Sequence, residues 1–176
     1  MTFTHPYGIY NVQASFNAWF QTNIATSLPS WMSAATVYFN FPDLPPSMPC
    51  FSVTYLPYKD FPIAAGGIVD SSGGTQWHGR KVIMLLDVTC WVTRDNNPNW
   101  NRDILQMRDM AQKLLRSTGS IAISDYAANS ESPTATGAII RINDIQSVEF
   151  TPFMQEVNPN VERKIIRVTV SWIERW

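Results

Sequence analysis

Between Tyr7 and Ser27, apolar side chains return every three or four positions, at Ile9, Val12, Phe16, Phe20 and Ile24, with Trp19 beside them. That spacing predicts a helix with one buried face. The opposite face carries Asn11, Ser15, Ala18 and Thr22, where a solvated helix would show Glu, Lys or Arg. It is either a neutral exposed face or a second buried contact, within the fold or across subunits. After Pro29, Thr36 to Phe41 and Phe51 to Tyr55 have strand composition. The proline-rich stretch Pro42 to Pro49 separates them, a pattern that allows a hairpin with a wide loop. Pro57 to Gly79 is dense in glycine and proline and predicts an irregular excursion or a long hairpin arm, against a plain surface loop.

The clearest strand runs from Arg80 to Val92. Val82, Met84, Leu86, Val88, Cys90 and Val92 form an unbroken apolar face, while Lys81, Asp87 and Thr89 interrupt the other. Asp95 to Asn99 reads as a turn with Asn99 as the helix cap. The helix that follows, Trp100 to Ser117, places Ile104, Met107, Ala111, Leu114 and Leu115 on one stripe, and Gly119 is positioned to end it. A short strand, Ile121 to Asp125, leads into a small-polar loop, Ala127 to Gly137. Ala138 to Phe150 resumes strand composition with a turn or bulge at Asn143 and Asp144. After the loop Thr151 to Asn160, a last strand points Ile166, Val168, Val170 and Trp172 one way and Arg167, Thr169 and Ser171 the other. The sum is one α+β domain over residues 1–176: a mostly antiparallel sheet with two helices on one face and a loop or hairpin arm.

Charge changes this picture. Of the first 58 residues only Asp43 is charged, yet they hold 13 of the chain's 22 aromatic residues and no Lys or Arg. About a quarter of an ordinary domain is charged, so this third is expected to meet another protein subunit. A membrane fits less well: no apolar run approaches the roughly 18 to 20 residues needed to span, and no basic face suits an interfacial helix. Met1 to Pro6 lacks the basic start and apolar core of a signal peptide, so folding in a cytosol is expected. Residues 59–176 balance 13 basic against 13 acidic side chains without a basic stripe, which argues against phosphate-driven nucleic-acid binding.

Catalytic chemistry is thin. Cys50 and Cys90 lack C-x-x-C spacing and read as buried free thiols. His5 and His78, the two histidines, have no partners at metal-ligand spacing. Gly73-Gly74-Thr75 lacks the lysine and following helix of a phosphate loop. Asp103 and Asp109 fall on different helix faces and read as solvated helix charges, Asp103 also complementing the helix N-terminus. Asp87, the one acidic residue inside the central strand, is expected to pair with an Arg or Lys on a neighbour. Trp172 belongs to the core, and Trp176 closes the sheet edge or packs on a subunit. No catalytic residue, cofactor or metal site is assigned.

Taken in order, these elements resemble the tail terminator (tail completion) proteins of long-tailed bacteriophages. The likeness runs from the N-terminal helix through the glycine-rich excursion before Arg80-Lys81-Val82 and the helix around Arg108-Asp109-Met110 to the final Ser171-Trp172-Ile173-Glu174-Arg175-Trp176. It implies a structural virion protein that self-associates into a ring, commonly a hexamer, at the neck-proximal end of the tail. Such a ring caps the tail tube protein, stops its polymerisation, offers a surface to a neck or head completion protein, and lets DNA pass without specific binding. The residues assigned to subunit or partner contacts are Tyr10, Trp31, Tyr38 and Tyr58, then Gly66, Gly67, Gly73, Gly74 and Trp77 of the excursion, and Trp176. The competing readings are another neck or tail-tube subunit, and a small-ligand-binding or hydrolytic α+β domain with the excursion as a lid. The mass of the assembled protein separates monomer from ring.

Overall fold

The computed structural model describes residues 8–29, 32, 36–39, 47–62, 68–70, 77–148 and 160–175. Helix α1 (Ile9–Ser27) is followed by strands β1 (Thr36–Phe39), β2 (Cys50–Pro62), β3 (Ile68–Asp70) and β4 (Trp77–Thr93). Helix α2 (Trp100–Ser117) comes next, then β5 (Ser120–Asp125), β6 (Thr134–Val148) and β7 (Val161–Arg175). The strands form one sheet in the order β1-β2-β4-β7-β6-β5, with β3 pairing the start of β4. This is the expected α+β class, and β4 and β7 are its central strands because both are long and apolar on one face.

That face is continuous across strands. Phe51 lies opposite Cys90, Val53 opposite Val88, and Val88 in turn opposite Ile166. These residues, with Val82, Met84, Leu86, Val168, Val170 and Trp172, belong to one buried cluster with Val12, Phe16, Phe20 and Ile24 of α1 and Ile104, Met107, Ala111 and Leu115 of α2. Full burial of side chains of this size stabilises by about 1.5–3 kcal/mol each. Carboxylates close the two ends of the core-facing row of β7. Buried Glu162 is held by Arg94 and Lys164, and buried Glu174 by Arg80.

The sheet curls around the helices. The Tyr55 hydroxyl on β2 donates to the Gln13 carbonyl of α1 at 3.1 Å and also meets Asn17. Asn11 and Ser15, interleaved on the same stretch of α1, bond to β5. Four strand spacings, about 19 Å when flat, separate β2 from β5, whereas a helix is roughly 10 Å across. Only a curved sheet brings both strands to one helix segment.

Several expectations need correction. Strands β1 and β2 do pair, with Thr36 opposite Cys50, but they run parallel, so they are no hairpin. Apolar alternation reads identically in either strand direction, and only the path of the chain decides it. The excursion is largely an antiparallel arm in its described part, because β2 and β4 continue their ladder from Tyr58 opposite Met84 to Pro62 opposite Arg80. Strand β6 begins at Thr134, inside the segment expected to be loop up to Gly137. Thr136 makes this possible by donating its hydroxyl to the Ile123 carbonyl at 2.8 Å while accepting the Ala138 amide at 3.2 Å. The bulge expected near Asn143 is present, as a register shift between Ile142 and Asp144. Asn99 occupies the cap position of α2 without a side-chain cap bond. The Asn97 side chain instead accepts from the Asn99 amide and donates to Asp103. Asp103 is therefore buried and bonded, also by Arg102, and is no solvated charge. Helix α2 ends at Ser117 with Thr118 as its C-cap, the Thr118 hydroxyl donating to the Leu114 carbonyl at 3.0 Å, and Gly119 follows just past the cap as expected, without a left-handed φ.

Candidate partner-binding surface

Helix α1 has three faces. The first is aromatic and faces the core: Phe16 stacks on Phe20 at 6.0 Å between centroids, and Phe20 and Phe51 meet in a T-shaped pair at 5.8 Å. The second is the small polar face. The Asn11 amide donates to Asp125 at 2.9 Å and accepts the Ala127 N–H at 2.9 Å, while Ser15 accepts the Ser124 N–H at 2.9 Å. The N-terminal half of the neutral face, Asn11 and Ser15, thus makes a second contact within the fold, accepting from one amide of β5, Ser124, and from Ala127 in the turn that follows, while Thr22 is exposed. An open edge strand invites pairing with another chain; here the helix occupies that position. The third face is exposed and uncharged, with Tyr10 at 60% exposure and Gln21, Thr22, Ala25 and Thr26 along the helix.

Much of the charge-poor third is thus consumed by the protein's own core, through Val12, Phe16, Phe20, Ile24, Val37, Phe51 and Val53. What is left exposed among the described residues is narrower: chiefly the third face of α1 and part of strand β1. At the other end of the sheet from β5, β1 has a single neighbour, β2, among the described residues. Thr36 is exposed there, and the Tyr38 hydroxyl shares a 2.8 Å hydrogen bond with Ser47.

The residues assigned to contacts from sequence scatter. Tyr10 is exposed on α1 and Tyr38 half-buried on β1. Tyr58 sits opposite Met84 in the ladder, and Trp77 opens β4 opposite Asp70 of β3. Trp31, Gly66, Gly67, Gly73, Gly74 and Trp176 lie outside the described residues, as does His5. His78 pairs with Ile68 in the arm.

Several titratable groups are held by contacts within the fold. Arg167 grips Asp87 with two hydrogen bonds of 2.8 Å, the pairing expected from sequence, and that bond raises the Arg167 pKa. Burial pushes the Tyr55 phenol well above its ordinary range. Both cysteines are free and buried. Burial raises the Cys50 thiol to about 12 and drives Cys90 higher still, with Arg108 opposing. No group of three or more His, Cys, Asp or Glu that would suit a metal ion occurs among the described residues, nor is any described helix long and apolar enough to cross a membrane.

One concavity went unread in the sequence. A groove of about 390 Å³ on the sheet face away from the helices is lined by Lys81, Ile139, Arg141, Asn143, Ser171 and Ile173, among others. Each is an ordinary strand residue by itself. Only the register of three strands brings them together.

No family model and no curated protein sequence matches the chain. Among solved structures, it is similar to a chain of one titled "Virion of native gene transfer agent (GTA) particle". The likeness covers 98% of this chain and 99% of that one, at 8% sequence identity and a TM-score of 0.41.

Proposed function

We propose that this chain is a structural virion protein, not an enzyme, that closes into a ring on the head-proximal end of a phage tail tube. The ring ends the growth of the tube and presents a joining surface to the head or neck. The order of elements, which resembles tail terminators along the chain, supports this reading. The observation that carries it is the contrast between the two sides of the fold. The β5 edge is occupied by α1, whereas β1 and the third face of α1 offer an uncharged surface. A ring needs a heterologous contact, in which two different patches of each subunit meet, and leaves both ring faces for other partners. Such patches lose charge at their centres and keep aromatic anchors such as Tyr10.

The test is to deplete the protein during phage assembly and image the particles. Overlong tails, or tails without heads, are the expected result. Tails of normal length joined normally to heads overturn the reading, and so does purified protein that grows into long tubes by itself, which marks a tube subunit.

A further inference from the structure

The groove opposite the helices is built by two irregularities of β6. Against β5, the register jumps from Ala122 opposite Ile139 to Ser124 opposite Ala135, with Gly137 in the left-handed region at φ 77°. Against β7, it shifts again at Asn143. Bulges of this kind re-aim side chains and recur beside binding sites. Between them, Arg141 lies opposite Ser171, and on the other side of β7 Lys81 lies opposite Ile173. Two cations therefore flank β7 diagonally across the groove.

These cations differ from most of those on the sheet. Arg80, Arg94, Lys164 and Arg167 all reach carboxylates. Lys81 and Arg141 are exposed and form no ion pair among the described residues. Apolar surface adjoins them: of the three exposed large hydrophobic side chains among the described residues, Ile139 at 39% and Ile173 at 41% both line this groove. Asn143, which accepts the Ser171 hydroxyl at 3.3 Å, adds polar capacity at the wall.

We infer that this groove docks an extended acidic segment of a partner protein, with one branched apolar side chain on Ile139 and Ile173 and a carboxylate toward each of Lys81 and Arg141. Two strand spacings across β7 and a two-residue offset along it place the cations' backbones roughly 12 Å apart. In an extended chain, residues i and i+4 stand about 13 Å apart on one side with i+2 between them. The segment of best fit is acidic, apolar, acidic at alternate positions. Nucleic acid fits worse, because apolar side chains occupy the space where further phosphate contacts would be needed. The inference stands apart from the ring reading.

The test uses the full-length protein and a fluorescein-labelled peptide, Gly-Ser-Glu-Ser-Ile-Ser-Glu-Ser-Gly, in fluorescence anisotropy. Saturable binding is expected that weakens with salt. It falls roughly tenfold in a Lys81→Glu, Arg141→Glu variant and with a peptide whose Ile is Ser, and vanishes when the peptide's Glu residues are Lys. A Lys81→Met, Arg141→Met variant guards against misfolding and is expected to bind weakly while melting like the parent. Absence of binding, or binding unchanged in both variants, overturns the inference. Single-stranded DNA binding as tightly at the same residues also overturns it, as does loss of self-association in these variants by native mass spectrometry, because the occupant is then nucleic acid or a second copy.

Discussion

Cys50 and Cys90 sit in neighbouring strands but on opposite faces, since Cys50 lies opposite Trp91 and Cys90 opposite Phe51. Burial holds both in the thiol form, and a thiol is a poor nucleophile. The folded-state pKa of Cys50, about 12, lies above its ordinary 9.0. The folded protein therefore keeps that proton where the unfolded chain has lost it, so its contribution to stability is complete below about pH 9 and is lost as pH rises toward 12. Ellman's reagent at pH 8 is expected to label neither cysteine in the native protein and both in guanidinium; stoichiometric labelling without denaturant refutes this burial. At the same scale, the Asp87 pairing was legible in sequence because a lone charge within an apolar strand has few ways to be satisfied. Asp103 was not, because its partner Asn97 lies in a turn whose geometry no periodicity describes.

At the level of elements, α1 packs beside β5 and supplies acceptors to the Ser124 amide at its end and to the Ala127 amide in the turn that follows. Replacing Asn11 and Ser15 together by Ala leaves the Ser124 and Ala127 amides without these acceptors, and each loss costs about 1 kcal/mol. The double variant is expected to lose roughly 2 kcal/mol in urea unfolding, with faster hydrogen exchange at those two amides. Unchanged exchange there means that α1 does not seal this edge. The second face of α1 was visible as an anomaly, a polar stripe without charges, but the strand it covers was not. Short side chains such as Ser and Asn suit close backbone contact with a strand or with another subunit equally well.

For the whole molecule, the division of the uncharged third is decisive. Its core-facing part stabilises the subunit, and its exposed part is the surface that the proposed ring contact uses. Charges placed only on the exposed face, as in a Tyr10→Glu, Thr22→Lys variant, are expected to change monomer stability by no more than about 0.5 kcal/mol while weakening subunit contact by 1 kcal/mol or more. Native mass spectrometry beside thermal unfolding checks both. Intact assemblies in this variant exclude the α1 face as a contact.

The sequence by itself determined the periodic elements: two helices, the long strands β4 and β7, the apolar row each presents, the bulge near Asn143 and the free thiols. These follow from burial, which acts on each residue through the face it occupies and so leaves its period in the chain. The tertiary structure alone decided that β1 runs parallel to β2, that α1 seals β5, and that Lys81, Arg141, Ile139 and Ile173 share one groove. Those facts depend on strand direction, strand order and register, which relate residues far apart in the chain and leave no local period to read.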